Sequence, residues 1–93
     1  MKLFVISQNI NNDYDTYSDA VVAAPTAEDA QMMHPSDKAV WHDDKWWVVR
    51  ADGSEFSALR HTWVNPKQVK VTYLGEAKTY TKKSVICSSF NAG

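Results

Sequence analysis

The stretch SDAVVAAPTAEDAQMMHP, residues 18–35, passes from an apolar segment through a proline into an acidic, alanine-rich one. Ala20-Val21-Val22-Ala23-Ala24 has the composition of a strand. The residues after Pro25 carry a helix start: Thr26 stands at the N-cap, Glu28 and Asp29 fall in the first turn, and Asp29 holds the reciprocal capping position. Exposed amide hydrogens and the helix dipole favour carboxylates there. The helix is predicted from residue 27 to about residue 34, because Pro35 disfavours helical geometry in the residue before it. Ala27, Ala30 and Met33 or His34 form its inner stripe, and the small residues let it lie close against a sheet.

The flanks supply that sheet. Residues 2–8 form a short β-branched run, and the Asn- and Asp-rich residues 11–17 make a wide hairpin with the strand that follows. Near the other end, Val69, Val71 and Tyr73 alternate with Lys70, Thr72 and Leu74, the period of a half-buried strand. Gly75 ends or bulges it, a basic connection over residues 78–83 follows, and residues 84–90 read as the last strand. The middle is harder to read. Trp46-Trp47-Val48-Val49-Arg50 has strand composition and Asp52-Gly53 is a tight-turn pair, so a hairpin returning through residues 55–59 is expected. A helix capped by Ser54 competes, since Phe56, Leu59, Arg60 and Trp63 follow helical spacing. The expected fold is α+β in one domain, residues 1–93: an antiparallel sheet of four or five strands curled around one short helix.

At 93 residues with 44% hydrophobic residues, the chain supports a single core. Its one cysteine excludes an internal disulfide and points to a reducing compartment; Cys87 lies in an apolar strand and reads as a buried structural thiol. The apolar run at the start is too short for a signal peptide, and no segment approaches the roughly 20 apolar residues of a membrane span. A cytoplasmic protein with no membrane contact is expected. Net charge is −1, but unevenly spread: residues 1–44 carry eight acidic residues against two lysines, and residues 45–93 eight basic against three acidic.

Chemistry finds few footholds. The EF-hand pattern needs Gly at loop position 6 and Glu at 12; a loop begun at Asn11 puts Thr16 and Val22 there, and one begun at Asp13 ends on Ala24. Residues 11–20 therefore read as an Asx-rich turn. His34, His42, His61 and Cys87 lack zinc-ligand spacing, and His34 reads as the last helical residue, favourable against the C-terminal dipole. No metal or cofactor is expected. With three glycines, no phosphate loop and no nucleophile elbow, an enzyme is not expected either.

Binding remains. Adjacent Trp46 and Trp47 point to opposite faces of a strand, so one of them is left for a partner unless both faces are covered. With Trp41, Asp43, Asp44 and Arg50 they make the composition of an interface hot spot. The rival is nucleic acid held by a basic C-terminal hairpin, with Lys67, Lys70, Lys78, Lys82 and Lys83 tracking phosphates and Tyr73 and Tyr80 stacking on bases.

The chain also resembles a family of small, uncharacterised phage- and prophage-associated bacterial proteins. The resemblance lies in Tyr14-Asp15-Thr16-Tyr17, the Glu28-Asp29-Ala30 helix ending in His34-Pro35, Trp63 with Pro66, Val69 and Val71, Gly75-Glu76-Ala77, and the close Ser89-Phe90-Asn91-Ala92-Gly93. It covers both ends but not residues 36–62. Gln31 departs from the basic residue expected after Ala30. The family brings no known activity, so no site residue carries over. A looser similarity of size and architecture is to small anti-CRISPR proteins. Together these imply an accessory protein, in the cytoplasm of a bacterial host, that binds a host or phage protein complex and blocks it. The oligomeric state is not legible.

Overall fold

The computed structural model describes residues 1–10, 16–56 and 63–91, the side chains of residues 90 and 91 excepted. The loop residues 11–15, on which the calcium-loop test partly rests, lie outside the described residues, as do residues 57–62 of the hairpin-or-helix segment.

Among the described residues, seven strands and one α-helix follow in the order β1 (Lys2–Ser7), β2 (Thr16–Ala24), α1 (Ala27–Gln31), β3 (Ala39–His42), β4 (Lys45–Val49), β5 (Glu55–Phe56), β6 (Lys70–Glu76) and β7 (Ser84–Asn91). They form two antiparallel sheets, not one. The first has the order β6-β1-β2-β7 and the second β3-β4-β5. The reason is occupancy: β6 fills the free edge of β1 and β7 that of β2, so the intervening meander pairs with itself. The α+β class holds; the single sheet expected from sequence does not.

Alternation builds the core. Phe4 and Ile6 share the inner face of β1 and stand opposite Val22 and Ala20 of β2. All four are buried. Ala24 and Ala30 add small surfaces that let α1 approach that face, and Met33, Trp46, Trp63, Val64 and Val69 close over it. No helix among the described residues is long and apolar enough to cross a membrane.

The helix begins as expected. Thr26 has an extended backbone, and its hydroxyl accepts the Asp29 N–H at 3.2 Å while donating to the Asp29 carboxylate at 3.0 Å. It ends three residues earlier than Pro35 alone implies, with Met32 as C-cap, because the next two side chains are drawn into the core. In the second sheet, β3 and β4 are joined by Asp43 and Asp44 at φ 52° and 59°, the two left-handed residues that a primed two-residue hairpin demands. The β4–β5 connection uses the expected Asp52-Gly53 pair: Gly53 sits at φ 87° and the Asp52 carboxylate accepts the Ser54 N–H at 2.9 Å. Residues 55 and 56 are strand, which agrees with the hairpin over the helix as far as the described residues reach.

Two substitutions test these local devices. Thr26→Ala removes the cap and is expected to cost about 1 kcal/mol, a fall of roughly 4–8 °C in the thermal midpoint. Asp44→Gly relieves left-handed strain and is expected to raise stability by about 1 kcal/mol. Thermal unfolding followed by circular dichroism reads both.

Candidate functional site

The chain that leaves α1 turns inward at Met33 and His34. His34 is 2% exposed, and its ring meets Tyr17 and Trp46 edge-to-face at 5.7 and 5.1 Å between centroids and a tilted Trp63 at 6.4 Å. The Ser36 N–H donates to His34 Nδ1 at 3.0 Å, so that nitrogen is an acceptor and the proton sits on Nε2. Burial lowers its pKa from 6.5 to about 4. The imidazole is thus a neutral core ring, in keeping with the inner-stripe place that the sequence offered it and not with the helix-ending place beside the C-terminal dipole. Trp46 Nε1 donates to the Val64 carbonyl at 2.8 Å, which locks the second ring of the nest.

Against this base lies a groove of about 360 Å³. Its walls come from Met32, Met33 and His34 after α1, Asp37, the β3 residues Ala39, Val40 and Trp41, and Lys83 before β7. Trp41 is half-buried and stands edge-on to Trp46, with centroids 5.2 Å apart and planes at 67°. Met32 and Val40 remain 46% and 41% exposed beside it. Asp37, at φ 63°, makes the turn into the strand, its N–H donating to the His34 carbonyl at 3.0 Å.

The residues predicted for protein binding do not converge. Trp46 and Trp47 do face opposite ways: Trp46 is buried, while Trp47 is half-buried on the outer face, stacked on His42 at 4.8 Å with planes 1° apart. Trp47 Nε1 donates to the His42 carbonyl at 2.9 Å. Asp43 and Asp44 are the hairpin turn, and Arg50 lies 4.3 Å over the Phe56 ring. Only Trp41 of that set lines the groove.

The basic set is also divided. The strands β6 and β7 occupy opposite edges of the four-stranded sheet and form no hairpin. Lys70 pairs with Ser7 at one end of β6 and Lys67 lies in the 3₁₀ turn before it, whereas Lys78 follows its far end, roughly 20 Å of strand away. Lys82 and Lys83 approach the opposite edge, and Tyr80 is 96% exposed at φ 72° in the connection. Lys83 thereby lines the same groove as Trp41, a combination that neither predicted set contained. Cys87 is exposed, not the buried thiol expected, because it stands opposite Val21 on the uncovered face of an edge strand. Among the described residues no three His, Cys, Asp or Glu side chains are placed to hold a metal ion.

Sequence reading missed Met32, Val40 and Asp37. The available signal was the apolar Met32-Met33 pair just beyond a capped helix, followed by Ala39, Val40 and Trp41.

The two described imidazoles give stability opposite pH dependences. The folded pKa of His34 is depressed, so its contribution is intact above pH 6.5 and is lost as pH falls toward 4, at about 1.4 kcal/mol per pH unit and roughly 3 kcal/mol in all. His42, hydrogen-bonded to Glu55 and to Asp43, has a raised pKa, so its contribution is present below pH 6.5 and is lost as pH rises through the folded value. In a His42→Gln background, denaturant titrations are expected to show stability falling steadily from pH 6.5 to 4; a flat profile would place His34 in water. No family model matches the chain, no curated protein matches it, and no solved structure matches it.

Proposed function

We propose that this chain is a non-enzymatic protein-binding module, and that its partner is engaged at the Trp41 groove. The observation that carries this is the exposure of Met32 and Val40 beside a tryptophan held on a buried aromatic base. Exposed apolar side chains around a held aromatic are the composition of an interface centre, and a wall that is already ordered gives up little entropy when a partner arrives. Asp37 and Lys83 supply a polar rim. The sequence resemblance to phage and prophage proteins extends this to an accessory protein that blocks a host protein complex, in the manner of the anti-CRISPR proteins.

A nucleic-acid reading keeps one favourable observation, the almost fully exposed Tyr80 among Lys78, Lys82 and Lys83. Three lysines release about three counterions, a salt slope near −3, which is small for a nucleic-acid binder. The magnitude favours protein.

Capture from lysogenic or infected cells, read by mass spectrometry, separates these. Met32→Lys is expected to cut recovery of the partner at least tenfold with an unchanged circular dichroism spectrum, while Lys82→Glu with Tyr80→Ala leaves it intact. Equal capture by Met32→Lys would remove the groove from the account.

A further inference from the structure

The outer edge of β3 carries unused strand chemistry. A two-residue turn makes His42 and Lys45 a hydrogen-bonded pair, and the ladder then alternates, so Val40 bonds with Trp47, and Lys38 and Val49 continue the pattern through the Val49 N–H to Lys38 carbonyl bond at 2.8 Å. Ala39 and Trp41 therefore turn their N–H and C=O groups away from β4, toward the open edge of the sheet. Among the described residues, these four backbone groups have no hydrogen-bond partner.

We propose that an extended segment of a partner protein adds to β3 as a further antiparallel or parallel strand, with an apolar side chain seated beside Trp41. This rests on the protein-binding reading and specifies its mode. Only a backbone in strand conformation satisfies donors and acceptors spaced two residues apart; a docked helix has already spent its own. Ala39 and Trp41 project to the same face, so the added residue facing Trp41 enters the groove. The groove also carries one carboxylate and one ammonium group, Asp37 and Lys83, neither in an ion pair among the described residues. The complementary segment holds a basic residue on one side of its apolar anchor and an acidic residue on the other.

The probe is a displayed library of random heptapeptides selected against the full chain, with one enriched peptide then synthesised. It is expected to carry a central apolar residue and to lose at least tenfold in affinity when the alternate amides that face Ala39 and Trp41 are N-methylated, with little change at the amides between. The amide resonances of Ala39 and Trp41 shift on binding. Met32→Lys and, on the face that Trp41 shares, Ala39→Lys each weaken binding at least tenfold with an unchanged circular dichroism spectrum. Indifference to N-methylation at every position overturns strand addition, yet leaves the protein-binding reading standing if Met32→Lys still weakens the complex. Indifference to both substitutions overturns both. Failure to enrich any peptide, including the case where sedimentation shows two copies paired through this edge, also overturns the proposal.

Discussion

A neutral imidazole buried between two sheets is the constraint on which the rest of this structure depends. His34 meets Tyr17 from the four-stranded sheet, Trp46 from the three-stranded one, and Trp63 from the segment that leads back to β6. A charged ring there would face desolvation and would also lose its hydrogen bond, since protonated Nδ1 cannot accept the Ser36 N–H. Neutral, it is a flat side chain with one fixed orientation. Edge-to-face contacts of this kind contribute about 0.5–1.5 kcal/mol each beyond their buried area.

That fixed ring passes order outward to the surface. His34 sets Trp46, whose indole N–H is also tied to the Val64 carbonyl, and Trp46 sets Trp41 through an edge-on contact. The groove wall is therefore held by the aromatic contacts behind it. The outer face of the same hairpin is organised differently, with Trp47 flat on His42 and His42 bridging Asp43 and Glu55. The tryptophan pair thus divides its work: one ring supports the groove from within, and the other braces the hairpin from outside.

Much of the fold was legible because periodicity and capping act locally. The Thr26 cap, the apolar run of β1, the alternation in β6 and the Asp52-Gly53 turn each leave a signature within a few residues. The opposition of Trp46 and Trp47 followed from strand geometry alone. What escaped depends on pairing between distant segments. Nothing within residues 70–91 says that β6 joins β1 while β7 joins β2, and so a basic hairpin was expected where the strands lie at opposite edges. The four-residue β3 escaped because charged residues flank it and its turn uses Asp43-Asp44 without glycine. His34 stood between the inner stripe and the helix end for the same reason: three aromatic partners from distant segments, absent from the local pattern, decide its burial.

The role of His34 is open to direct observation by NMR titration of its ring protons. A buried neutral imidazole that joins the sheets stays uncharged until pH falls to about 4, and its Nδ1 keeps the shift of an unprotonated acceptor throughout. A midpoint near 6.5, the value of an imidazole in water, would contradict the account: His34 would then be solvated, and the groove would lose the base on which it is built.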